Sequence, residues 1–434
     1  MDQINVAKDF IDFISKSPTK YHAVENIKSN LLKLGYKPLS FEDKWEIELH
    51  GKYLIEQDNS ALIAFCVGEE LIEKGIRLVC AHTDSPTFKV KPIAEMRSAD
   101  GHVKINTQGY AWPILTSWFD RPLSLAGRVA LKGSSTFKPD IRLVDLDSPI
   151  LLIPNVAFHL TKGKSESGIS KQKEMLPILG IVDKETNVEG LLKRLVTEKL
   201  GIASPEEILE YELYLYPCDK GQLIGINSDF ILTPRQDDLA MVYAAYRALA
   251  ETQSEESTKM IAFFDAEEET NSTLGGADSP FLRNVLIKII RGLNGNDEDI
   301  IKMIHHSFAV SLDTSFAVHP NYMECGDPTC SPVINKGVAI KYDANMHYAT
   351  TALSSSIFQN ICKKANVAFQ KVAANSDLRT GGTISAFLQT QVEMKCVEVG
   401  IPSWAVHSAY ESCGTKDFYD LIRVLSTFWE ISEK

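Results

Sequence analysis

The chain has no apolar run close to the ~20 residues needed to cross a bilayer. Its opening residues also lack the basic-then-apolar pattern of a secretory signal. Eight cysteines are scattered without a CxxC pair or regular spacing, so neither a zinc knuckle nor a disulfide framework is indicated. Positive charge is in deficit, with 45 Lys and Arg against 57 Asp and Glu. The resulting net charge of −12 argues against nucleic acid or an anionic membrane as a partner. No low-complexity tract or internal repeat is present, which excludes solenoids and disordered tails. What remains is an ordinary globular composition, 44% hydrophobic and 24% charged, over 434 residues. That length is more than one core holds, so two domains are expected, in a cytoplasmic protein.

The chain is organised around Met260-Ile261-Ala262-Phe263-Phe264-Asp265-Ala266-Glu267-Glu268-Glu269. Five apolar residues read as a strand buried on both faces, and they run straight into four carboxylates. In an open α/β sheet, ligands collect outside the carboxyl ends of such strands. Like charges crowded there are unfavourable unless a cation sits among them. The plainer alternative is the acidic first turn of a helix, favoured by the helix dipole.

Two further apolar runs end in the same way. Ile76–Ala81 leads to His82-Thr83-Asp84, and Phe308–Leu312 leads to Asp313. In an extended segment, residues two apart share a side, so Asp84 is placed to orient the His82 ring. Adjacent Asp237 and Asp238 open an amphipathic helix with Leu239, Val242, Tyr243 and Tyr246 on its face, which on its own is capping chemistry. A late loop carries His407. Two histidines, two aspartates and a glutamate, with a spare glutamate beside it, suit two divalent ions sharing one bridging carboxylate. Mixed His and carboxylate ligands favour Zn2+, with Co2+ or Mn2+ compatible. Such ions sit ~3.5–4 Å apart and hold a bridging water, with the spare glutamate as its general base.

Elsewhere the N-terminal 40 residues read as two helices broken at Ser17-Pro18, and Tyr53–Val67 as a hairpin turned at Asp58-Asn59. From Lys91 the texture becomes dense in short strands. A helix is expected at 187–200 and another from the capping box Ser204-Pro205-Glu206-Glu207, and Lys162–Ser170 reads as a mobile polar loop. This block, 92–232, reads as an α+β module inserted into a main fold formed by 1–91 and 233–434.

Several segments resemble the M18 aminopeptidases. They are His82-Thr83-Asp84-Ser85-Pro86, Pro234-Arg235-Gln236-Asp237-Asp238, Phe264-Asp265-Ala266-Glu267-Glu268, Asp313 with Phe316–Tyr322, and Ile401–Ser408. Ser17-Pro18-Thr19 with His22, Trp118-Phe119-Asp120-Arg121 and Asn375-Ser376-Asp377 extend the likeness over nearly the whole chain, in the family's order. The resemblance implies a mixed-sheet α/β/α zinc-peptidase domain with an inserted, β-rich dimerisation and lid domain. It implies removal of N-terminal amino acids from peptides by attack of metal-bound hydroxide. By motif, Asp237 would bridge two ions, His82 and Asp313 would hold one, and Glu268 and His407 the other. Glu267 would be the catalytic base and Asp84 the orienter of His82. Dimers of the family assemble into closed tetrahedral dodecamers, in which a histidine at the position of His159 reaches a neighbouring subunit's active site.

This chain departs from the family pattern in two places. Gln236-Asp237-Asp238 stands for Leu-Asp-Asn, and Glu269-Thr270-Asn271 for Val/Ile-Gly-Ser. The segment Asp343–Tyr348 offers no Lys or Arg after Lys341, although Arg379 could bring a charge from another wall. A preference for neutral, apolar N-terminal residues is therefore expected. A deacylase or carboxypeptidase with the same ligands, and a non-catalytic assembly protein, are the competing readings.

Overall fold

A computed structural model describes residues 2–160, 168–252, 256–378 and 381–431. A nine-stranded mixed sheet forms its centre. Four neighbouring strands at its middle, Thr258–Phe264, Ile76–His82, Phe308–Leu312 and Lys395–Gly400, run parallel. The hairpin strands Lys52–Gln57 and Ala61–Cys66 extend one side, with Lys37–Pro38 at the edge, and Val338–Tyr342 and Phe369–Ala373 extend the other. The hairpin turns at Asp58 and Asn59, both in the left-handed region that a two-residue turn of this twist requires.

Alternate residues of the middle strands feed two cores. Val79, Ala81, Ile261, Phe263, Val310 and Leu312 pack beneath the helices Gln3–Ser15, Gln236–Glu251 and Thr415–Glu430. Leu78, Cys80, Met260, Ala262, Phe264 and Ala309 pack beneath Phe281–Gly292, Asp297–His306 and Ile384–Val392. Burial on both faces is why these strands are predominantly apolar, and it makes the sheet the middle of an α/β/α sandwich. Among the described residues no helix is long and apolar enough to cross a membrane.

A second, six-stranded sheet is antiparallel throughout. It is built from Thr87–Arg97, His102–Tyr110, Leu123–Ser135, Lys138–Asp145, Ile178–Ile181 and Ile208–Pro217 around its own core of Phe88, Val129, Leu213 and Leu215. The helix Leu191–Leu200 seals that core through Leu192 and Val196. The first strand starts at Thr87, so the change of texture at Lys91 falls inside it rather than before it. At the other end, Gln222–Ile224 and Phe230–Thr233 join Glu411–Gly414 in a small third sheet.

The helix expected from Ser204 does not form. Ser204 caps one 3-10 turn at Pro205–Glu207, and the alternating Tyr211, Leu213 and Leu215 then continue as a strand. Cross-sheet burial of that period-two pattern outweighs the local capping signal. The loop expected at Lys162–Ser170 lies mostly outside the described residues, as does Arg379.

Candidate metal centre

The parallel strands deliver their last residues to one crevice. His82 ends its strand; Asp265–Glu269 follow Phe264; Asp313 follows Leu312. Asp313 sits there because its amide donates to the Val399 carbonyl at 3.1 Å beside Gly400. A side chain at position 400 would meet the Asp313 carbonyl at 2.0 Å, so only glycine fits. No helix follows Phe264. The amides of Thr270 and Asn271 close a turn on the Ala266 carbonyl, with Ala266 at φ 61°, and the next helix opens only at Phe281. The acidic run is therefore not a helix start.

Two groups of side chains converge with every ligand atom within 4.8 Å of the others in its group. One is His82, Asp237, Asp238 and Asp313; the other is Asp237, Glu268 and His407. Asp237 belongs to both. Its Oδ1 lies 3.4 Å from His82 Nε2 and its Oδ2 lies 3.7 Å from His407 Nε2. Glu268 Oε2 is 3.1 Å from His407 Nε2, and Glu267 Oε2 is 3.8 Å from His82 Nε2.

The surroundings fit a cationic occupant. Asp237 Oδ1, Asp238 Oδ1 and Glu268 Oε1 are buried without a hydrogen-bond partner. Burial pushes the carboxyls of Asp238, Glu267 and Glu268 well above their usual range, and neighbouring carboxylates push them further. Asp237 is held below its usual range because His82 and then His407 outweigh its burial. Burial opposes a charge on His82, but Asp238, Asp237 and Asp84 overcome it and raise the ring well above its normal value. A nest of buried carboxylates with orphaned oxygens and two imidazoles is the donor set of a divalent metal site.

Asp84 stands behind the crevice. Its carbonyl meets His82 Nδ1 at 3.1 Å and its carboxylate lies 3.5 Å from the same nitrogen. That carboxylate accepts the amides of Glu267 and Glu268 at 3.2 and 3.3 Å and the Tyr110 hydroxyl at 2.6 Å. His82, Lys20 and Tyr110 outweigh burial and hold the Asp84 carboxyl down to about 2.

Three polar residues of this region take on contacts that the sequence reading did not give them. Asp238, taken there as a helix cap, is fully buried, and its Oδ2 accepts the His82 amide at 3.2 Å. Glu411 accepts the amides of Asp237 and His407 at 3.0 and 2.7 Å, and burial followed by the charge of Asp237 pushes it up to about 8. Glu269, one of the departures from the family pattern, is exposed and accepts the Ala111 amide at 2.8 Å. His159 does not join the cluster. It lies on the exposed turn Phe158–Leu160 of the second sheet's module.

Comparison with known proteins gives the family and the fold. The family described as Aminopeptidase I zinc metalloprotease (M18) matches residues 13–429. A probable M18 family aminopeptidase 2 of Clostridium acetobutylicum is 40% identical over 432 residues, covering 99% of this chain and 100% of the relative. Its counterpart in Ectopseudomonas mendocina is 34% identical, over 98% and 97% of the two chains. Among solved structures, the cryo-EM structure of the Ape4 and Nbr1 complex superposes with a TM-score of 0.93 at 31% identity, covering 98% of this chain and 86% of that chain. The S. cerevesiae mApe1 dodecamer gives 0.85 at 25% identity, over 98% and 96%. Fold and site together define a zinc metallo-aminopeptidase, a hydrolase. The chain belongs to the M18 aminopeptidase family.

Proposed function

We propose that this chain removes single N-terminal amino acids from peptides at a two-metal centre. The observation that carries the reading is Asp237, whose two oxygens each face a different histidine. Asp237 would bridge the ions, His82 and Asp313 would complete one site, and Glu268 and His407 the other. Asp238 belongs to the first group of converging side chains and its Oδ2 accepts the His82 amide, so it would help to position that site. These residues would hold two divalent ions, zinc by the mixed imidazole and carboxylate donors, and when bound these would supply polarisation of the scissile carbonyl and a more acidic water. Glu267 would act as general base, taking a proton from the water that attacks the carbonyl carbon and passing it to the departing amide nitrogen as the C–N bond breaks. Asp84 keeps His82 Nδ1 occupied, so that Nε2 faces the crevice.

The substrate's first side chain has a cavity beside the centre. It has a volume of about 370 Å3, and its walls include Phe316, Tyr322, Tyr348, Val372 and Leu378. Its cationic wall residue, Lys341, donates to Asp313 Oδ2 at 2.7 Å, so that charge is already answered. These walls favour neutral, apolar N-terminal residues.

His159, exposed in its own chain, would act in a neighbouring subunit as a donor to the tetrahedral intermediate. The reading therefore includes a homo-oligomer, with dimers formed through the 92–232 module and assembled into a tetrahedral dodecamer, in the cytoplasm. The mApe1 dodecamer among the structural neighbours supports it. Product analysis on a tripeptide tests the reaction: an aminopeptidase releases the first residue and leaves the dipeptide. Release of the last residue, or cleavage only of an acyl cap, would contradict it.

A further inference from the structure

Tyr110 closes a strand of the second sheet, yet it and the residues after it make their polar contacts to the metal centre. The Tyr110 hydroxyl donates to Asp84 Oδ2 at 2.6 Å. The Ala111 amide donates to Glu269 Oε1 at 2.8 Å. The Trp112 carbonyl lies 3.4 Å from His407 Nδ1, and the Ile114 amide donates to the His407 carbonyl at 2.8 Å. Ala111 and Trp112 are successive non-glycine residues in the left-handed region, at φ 63° and 55°. Such a conformation persists where its surroundings over-determine it. Ala111 is fully buried, whereas the Trp112 side chain is 74% exposed, so its backbone rather than its ring is what the site holds.

We propose that Tyr110–Trp112 is a positioning strap by which the second sheet's module sets both imidazoles of the metal centre; this rests on the two-metal reading above. Through Asp84 the Tyr110 hydroxyl fixes the His82 ring and the Glu267 and Glu268 amides, which that one carboxylate also accepts. The Trp112 carbonyl accepts a hydrogen bond from the Nδ1–H tautomer of His407, which leaves the Nε2 lone pair on the side of Glu268 and Asp237. Glu269 holds the strap in place from the far side of the acidic run. Metal retention in this chain is thereby tied to the module.

The test is zinc affinity of the full chain, by competition with a chromophoric chelator, for the parent, Tyr110→Phe, Glu269→Ala and Glu269→Gln. Loss of such outer hydrogen bonds lowers metal affinity by roughly ten- to a hundredfold. Tyr110→Phe and Glu269→Ala should weaken zinc binding by at least about tenfold on that scale, with the melting temperature of the metal-free protein unchanged. Glu269→Gln keeps an acceptor for the Ala111 amide and should bind zinc like the parent. If Tyr110→Phe lowers the metal-free melting temperature, the exposed Glu269 pair alone decides. A parent that binds zinc beside Glu269→Ala and Tyr110→Phe chains that bind it equally well overturns the strap alone. A parent that takes up no zinc overturns the metal centre and the strap with it.

Discussion

Lys341 and Asp313 form a partly buried ion pair at 2.7 Å where the side-chain cavity meets the metal centre. Selecting an acidic residue requires an unanswered cation, because a carboxylate without a partner bears a large desolvation cost. Here the ammonium also donates to the Thr314 carbonyl at 2.9 Å and lies over the Tyr348 ring. A panel of aminoacyl chromogenic substrates compared by kcat/KM should therefore favour Leu and Met over Asp and Glu. If the acidic substrates win by about tenfold or more, another cation serves the pocket, and Arg379→Ala should then remove the preference.

Glu267 is the proposed base. Glu267→Gln keeps its volume and cannot take a proton. General-base catalysis contributes on the order of a hundred- to ten-thousandfold, and kcat should fall within that range. Zinc content should not change, since Glu267 is outside both groups of ligands. Near-parent turnover in the variant removes Glu267 from this role.

His159 is predicted to act across a subunit boundary. His159→Ala should lower kcat by about a hundredfold, the scale of losing one oxyanion donor, with oligomer size by light scattering unchanged. Mixed particles of Glu267→Gln and His159→Ala subunits should regain activity, because one parent-like site forms wherever the defects fall on opposite sides of a contact. No recovery on mixing argues for action within one chain. The neighbouring Val156, Phe158 and Leu160 are exposed in the single chain, and Phe158→Asp should shift the assembly to smaller species.

Outside the metal centre, His22 is an acid-sensitive group. Its Nδ1 faces Thr19 Oγ1 at 2.9 Å, and burial, opposed by Asp145 and aided by Arg235, lowers its pKa to about 4. The unfolded ring titrates near 6.5. Because the folded value is depressed, the unfolded chain binds the proton first, and stability is lost as pH falls from about 6.5 to about 4. The loss is at most about 3 kcal/mol. Denaturant titrations at pH 7 and 4.5 should show a smaller pH dependence in His22→Gln than in the parent. An identical dependence in both would show that His22 does not charge on unfolding.

The strand ends were legible in the sequence because double-sided burial leaves predominantly apolar runs, and Ile76–Ala81, Met260–Phe264 and Phe308–Leu312 each stop at a polar ligand type. The hairpin at Asp58-Asn59 was legible for a local reason, its turn chemistry. Asp238, Glu411 and Tyr110 were not, because their partners His82, Asp237 and Asp84 lie far along the chain and no spacing rule links them. Ser204 misled because a capping box is a local signal, and the strand after it is stabilised by partners at Leu123–Leu131 and Lys89. The change of texture at Lys91 falls within a strand because Thr87–Arg97 pairs with His102–Tyr110 from Thr87 onward.

The bridging role of Asp237 is tested most directly by metal stoichiometry, with zinc counted by mass spectrometry of the purified protein after exhaustive dialysis. Two zinc ions per parent chain and at most one in Asp237→Ala is the predicted result. One ion per fully active parent chain, or an Asp237→Ala chain that still holds two, would contradict it.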